Sequence, residues 1–131
     1  MRVDNLIPFA KNYSSNAFLL RGDFNALADL NTLIDTGRDE MLFENIETIN
    51  TGLGKKAIDQ IILTHCHYDH TGLLNKLKAN YGSKVYAYSN HISGVDKLLT
   101  DGEYLKIAND VGMIIHLAGH SADSIAIYCF D

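Results

Sequence analysis

The chain has 131 residues, 47% hydrophobic and 21% charged, the proportions of an ordinary folded domain with room for a core. A formal net charge of −5 without any dense basic block counts against a nucleic-acid partner. No apolar run reaches the length of a membrane span and the first ten residues lack a secretory pattern; the two cysteines make no disulfide framework, so a reducing cytoplasm is the expected setting.

In chain order, residues 2–9 mix Val3, Leu6 and Ile7 with polar side chains and hold the only proline, Pro8, the composition of an edge strand. Residues 12–16 read as a turn. A second strand is expected at 17–20 and a third at about 28–34, at hairpin-like spacings that predict antiparallel pairing. Residues 39–51 predict a helix, with Leu42, Phe43, Ile46 and Ile49 on one face and Glu40, Glu44 and Glu47 toward solvent. Ile61-Ile62-Leu63 is a short apolar run of the kind that forms a buried strand. Residues 72–81 predict a helix carrying Leu73, Leu74, Leu77 and Tyr81 on one face, with Gly82 as its stop. A strand at 84–88 and a short helix at 89–99 follow, with Ser89 or Asn90 as the cap and His91 a surface or capping residue. After the Asp101-Gly102 turn, residues 103–107 and 111–117 predict a hairpin, and a last strand begins at 124.

Three of the six histidines, His65, His67 and His70, lie in one short loop together with Asp69. The loop leaves the carboxyl end of the buried strand. Imidazole and carboxylate are the usual ligands of zinc and related metals. In a nearly extended segment residues two apart face the same way, so His65 and His67 can grip one ion. Asp69 and His70 follow as the chain turns, placed for a second, neighbouring ion. Tyr68, between them, would shape the pocket wall, whereas Cys66 is expected to be a small side chain facing the core. Asp35 is read by composition as an Asx-turn or helix-cap residue.

Residues 63–72, LTHCHYDHTG, resemble the signature of the metallo-β-lactamase superfamily, which includes glyoxalase II-like hydrolases. Two weaker stretches resemble it in the same order. Residues 33–37, LIDTG, are similar to its upstream strand end, and residues 116–121, HLAGHS, to its downstream turn. The resemblance implies an α/β (α+β) fold: a four-layer αββα sandwich, helices outside two mixed, largely antiparallel sheets. Residues 1–131 would then form one C-terminally truncated domain, the first half of the sandwich and the opening of the second. It also implies His65, His67 and His120 as ligands of a first metal, and Asp69, with a catalytic part as well, and His70 as ligands of a second. Asp35 would orient the site from behind and His116 would support it without binding metal. The remaining two ligands of the second metal belong to positions beyond this stretch, and Asp131 falls too early to serve as the bridging aspartate. Ala118 and Asp123 depart from the usual proline and glycine of the downstream turn.

The function so implied is a metal-dependent hydrolase that uses a metal-bound hydroxide on a small ester, thioester or lactone-like substrate. One or two zinc ions are expected; iron or manganese would suit the same imidazoles. Two alternatives stand beside it: a mononuclear iron, persulfide dioxygenase-like enzyme, and a catalytically impaired metal-binding chain acting as a structural or partner subunit. His67 counts against the related diiron flavoproteins, which have glutamate there. Half a sandwich would leave an apolar sheet face bare, so self-association or a partner chain is expected to cover it. A small-molecule substrate is expected, with neither nucleic acid nor membrane as a partner.

Overall fold

The computed structural model describes residues 1–10, 14–117 and 124–129; for Tyr68 and Asp69 it describes the backbone. Six strands form one mixed sheet in the order β1 (Arg2–Asn5), β2 (Phe18–Arg21), β3 (Thr32–Ile34), β4 (Gln60–Leu63), β5 (Lys84–Ala87) and β6 (Lys97–Leu98). The pairs β1–β2 and β2–β3 are antiparallel, and β3–β4, β4–β5 and β5–β6 are parallel. The change of sense follows from the connections. Helix α1 (Met41–Thr48) separates β3 from β4, and helices α2 (Tyr68–Thr71) and α3 (Leu74–Tyr81) separate β4 from β5, the long crossovers that parallel neighbours need. A second, antiparallel sheet holds β7 (Tyr104–Ile107), β8 (Asp110–His116) and β9 (Ile125–Cys129).

Both faces of the larger sheet are covered along its centre, which is why β4 reads as an unbroken apolar run rather than an alternating one. On one face Leu19, Leu33, Ile61, Leu63 and Val85 pack with Leu42 and Ile46 of α1 and Leu74 and Leu77 of α3. On the other, Leu20, Ile62 and Tyr86 pack against Ile107, Ile114 and Ile125 of the second sheet. The described residues thus build three layers, helices on sheet on sheet. The outer face of the second sheet carries exposed Tyr104, Val111 and Tyr128.

The expected fold class is therefore observed, with helices outside mixed sheets and an antiparallel start. Gly82 stops α3 as expected: its φ is +62°, and its N–H donates to the Lys78 carbonyl. The predicted helix at 89–99 is absent. Those residues turn, with the His91 N–H donating to Ser89 Oγ and Gly94 at φ +95°, and then run into β6. Asp96 decides this: its N–H donates to the Val85 carbonyl and its carboxylate accepts from the Val85 N–H, which draws the segment alongside β5. The helix expected at 72–81 begins two residues later, as α3, and the ligand loop before it holds a further short helix, α2; both the third strand and the first helix are shorter than their periodicity suggests.

Candidate metal centre

The loop with the histidines begins where β4 ends, beside the carboxyl end of β3, and the two strand ends are bonded to each other. The Asp35 N–H donates to the Ile62 carbonyl at 2.9 Å. Asp35 has a φ of +60°, a left-handed conformation that aspartate tolerates better than most side chains, and it is buried. Its carboxylate collects three bonds. Oδ1 accepts from the Thr64 N–H at 2.7 Å, and Oδ2 accepts from Thr64 Oγ1 at 2.6 Å and from His70 Nδ1 at 2.8 Å.

The neighbouring residues hold α2 from the same side. The Thr36 N–H donates to the His70 carbonyl at 2.8 Å, and Thr36 Oγ1 accepts from the Leu73 N–H at 3.3 Å. Gly37 has a φ of +62°, and a Cβ there would lie 2.4 Å from Ile7 Cδ1 and 2.6 Å from Ser14 Oγ. Only glycine satisfies both demands. His67 stands at the start of α2 in an extended conformation, and its carbonyl accepts from the His70 N–H at 2.9 Å.

These bonds fix ring tautomers. A carboxylate only accepts, so His70 carries its proton on Nδ1 and leaves the Nε2 lone pair for a ligand role. Thr64 has one hydroxyl proton, which goes to Asp35; its oxygen then accepts from His65 Nδ1 at 3.3 Å. His65 is thereby presented in the same tautomer as His70. The His65 and His67 rings are 4.8 Å apart at 82°, and those of His65 and His70 3.6 Å apart at 57°. The His65 ring thus neighbours both other imidazoles, and His70 is bonded to a buried carboxylate, a donor chemistry that suits zinc or iron. Among the described residues no three His, Cys, Asp or Glu side chains complete a metal-holding set. The full set expected from the sequence includes the Asp69 side chain and His120, which, like the Tyr68 side chain, lie outside the described part, as do Ala118, Asp123 and Asp131.

Around this centre the structure places His116, expected to support the site, together with residues that sequence reasoning left outside it. The His116 ring stacks on Tyr88 at 4.1 Å and 11°, at the carboxyl end of β5, and the His116 N–H donates to Asp101 Oδ1 at 2.8 Å. Cys66 does not face the core; it is exposed. The strand ends at Leu63, so Cys66 lies in the loop beyond the packed sheet and not among the core-facing positions of β4. Cys66, Thr71, Asn75 and His91 line a cavity of about 360 Å³. His91 also lines a second cavity, of about 460 Å³, with Tyr88 and Leu98. The one signal that could have singled out His91 is its position just beyond the carboxyl end of a parallel strand, where ligands of such sheets bind.

Residues 11–110 match the family model of the metallo-beta-lactamase superfamily. A hydroxyacylglutathione hydrolase of Chromohalobacter salexigens is 28% identical over 124 residues, covering 94% of this chain and 46% of that protein. Among solved structures, ETHE1 from Myxococcus xanthus is similar with a TM-score of 0.79 at 21% identity, over 100% of this chain and 55% of that one. A class B3 di-zinc metallo-beta-lactamase from an Alaskan soil metagenome is similar with a TM-score of 0.66 at 20% identity, over 87% of this chain and 50% of that one. The likeness to both structures is one of fold. The chain spans about half or less of the length of the relatives it matches.

Proposed function

The chain belongs to the metallo-beta-lactamase superfamily, and from that premise we propose that it carries the metal-binding part of a hydrolase acting on a small thioester, ester or lactone. His65, His67 and His120 would hold one ion; Asp69 and His70 would take part in holding a second. Zinc is the metal proposed, in line with the similar di-zinc enzyme, and the imidazole donors leave iron or manganese possible as substitutes. Thioesters are favoured among substrates because the matched relatives are hydroxyacylglutathione hydrolases. A cytoplasmic setting belongs to the same reading; among the described residues no helix is long and apolar enough to cross a membrane.

The observation that supports this most is the carboxylate of Asp35 bonded to His70 Nδ1 and, through Thr64, reaching His65. Such a partner holds each ring in the tautomer that offers Nε2. A divalent ion held there supplies a Lewis acid for the carbonyl and lowers the pKa of water to about 7. The residues of this chain do the rest: Asp35 and Thr64 orient the rings, Thr36 fixes the backbone of α2, and Tyr88 and His116 form a wall beside the loop.

A second reading is favoured by the surface left open. Six strands lie against three, and an apolar groove of about 350 Å³ runs beside β9, lined by Val3, Phe18, Leu20 and Ile34. We propose that self-association or a further polypeptide covers it, and in that assembly the chain could serve as a partner subunit whether or not it turns over substrate itself.

Metal content per chain, measured by elemental analysis after purification without added metal, tests the first reading, together with hydrolysis of a hydroxyacylglutathione thioester. One or two ions, lost along with hydrolysis in His67→Ala, are expected. No metal bound and none taken up from a zinc solution would overturn the hydrolase reading and leave the partner-subunit one. Sedimentation of the same preparation reports whether the chain associates.

A further inference from the structure

We propose that the cleft between the turn after β5 and strand β6 is the subsite for an uncharged, apolar acyl group of the substrate. This rests on the hydrolase reading of the adjoining loop and names the part of the substrate that the described residues recognise. The cleft has a volume of about 460 Å³, within the range of about 300–1,000 Å³ usual for small-molecule sites. It opens at the carboxyl ends of the parallel strands, where β4 and β5 pair Leu63 with Ala87. The histidine loop starts one residue past Leu63 and Tyr88 one residue past Ala87, so cleft and loop are neighbours on one sheet edge. His91 belongs both to this cleft and to the cavity that reaches Cys66 and Thr71 of the loop. A substrate whose scissile carbonyl lies at the loop would direct its acyl chain along this sheet edge toward His91.

The lining decides the chemistry of that chain. Leu99, 2% exposed, forms the floor, and Leu98, 47% exposed, stands at the mouth as a large apolar side chain that the core does not use. Tyr88 closes one wall and is held in place by its stack on His116. The polar groups of the lining, on Ser89, Asn90, His91 and Thr100, are hydroxyl, amide and imidazole, with no lysine, arginine or carboxylate among them. Of the charged side chains close by, Lys97 Nζ lies 2.8 Å from Glu103, which also accepts from the Thr100 N–H at 3.0 Å, while Asp101 accepts from the backbone N–H of His116. A carboxylate on the acyl group would find no cation in the lining, and Lys97 close by is already paired with Glu103. An alkyl chain would cover Leu98 and displace water from it and from the Tyr88 ring beside it.

The test measures binding rather than turnover. The probes are ketone analogues of N-acetylcysteamine thioesters, in which a methylene between sulfur and carbonyl prevents cleavage, with acyl chains of two, four and six carbons and a six-carbon chain ending in carboxylate. Calorimetric titration of the full chain should show affinity rising at least tenfold from two to six carbons and lost again with the terminal carboxylate. Leu98→Asp, a substitution at an exposed position, should remove that dependence while leaving the two-carbon probe unchanged. His91→Ala should weaken every probe by a similar factor, and His67→Ala should preserve the chain-length dependence even when metal and hydrolysis are lost. Affinity that does not vary with chain length, a dependence untouched by Leu98→Asp, or no binding of any probe would overturn the subsite. Failure of the hydrolase reading shows separately, as absence of metal uptake and of thioester cleavage.

Discussion

The two ends of the β3–β4 pair use buried polar side chains in opposite ways. At the amino end, the Asn31 N–H donates to Asp59 Oδ2 at 2.7 Å, while its side-chain amide donates to the carbonyls of Thr51 and Lys56 at 2.7 and 3.0 Å. Gln60 donates to Thr32 Oγ1 and to the Lys106 carbonyl, at 2.9 and 2.7 Å. These side chains staple connecting backbone to the sheet and tie the second sheet to the first. At the carboxyl end, Asp35 serves one backbone N–H and two side chains, a hydroxyl and an imidazole. The strand pairing is continuous from one end to the other, yet one end is closed by amide-to-carbonyl bonds and the other displays orientable rings. Burial of polar groups is a matter of stability at the first end and of ligand geometry at the second.

Substitution at each end should separate these roles, and the largest effect is expected at Asp35. Asp35→Ala removes the acceptor for His70 Nδ1 and for Thr64, and metal affinity should fall by about 10–100-fold, read by competition with a chelator. The same change leaves a buried N–H unpaired and should cost about 1–3 kcal/mol in denaturant unfolding. A variant that keeps its metal affinity would show that the carboxylate does not orient the rings. Next in size, Asn31→Ala should lower stability by about 1–3 kcal/mol, since two carbonyls lose their donor, with metal content per chain unchanged. A loss of metal there would erase the distinction between the two ends. Thr64→Val should have a narrower effect still: nitrogen chemical shifts of the His65 ring should report a changed tautomer balance, which Thr64→Ser restores, while His70 stays as it was.

The smallest effect lies away from both ends, where Tyr81 of α3 donates to Glu47 of α1 at 3.0 Å. Burial, and then the hydrogen bond and charge of Glu47, push the Tyr81 phenol up to about 12. The folded state holds this proton more tightly than the unfolded chain, whose phenol titrates near 10. The stabilisation is therefore fully present below pH 10 and lost as the pH rises from 10 toward 12. Tyr81→Phe should flatten the decline of melting temperature over that window and leave the value at pH 7 nearly unchanged. An unaltered decline would place its origin elsewhere.

Much of this was legible in the residues. The run Ile61-Ile62-Leu63 gave a strand buried on both faces, Gly82 ended its helix, and residues 103–117 alternated as the hairpin they form. Local pattern sufficed there because each element follows its own periodicity. It failed at 89–99, where helical spacing yields to two bonds between Asp96 and Val85, partners that no local window contains. It failed again at Cys66, whose direction depends on where β4 stops.

By itself the sequence determined the chemistry available: imidazoles and a carboxylate in one loop after a buried strand, and the family signature that loop carries. Their order along the chain could not say which partner each ring would find. The tertiary structure decided that, by bringing Asp35 from one strand end against Thr64 and His70 of the next, and by standing Tyr88 and His116 face to face beside them. Tautomers and cavity walls are set by contacts between residues distant in sequence, and such contacts exist only once the sheets have packed.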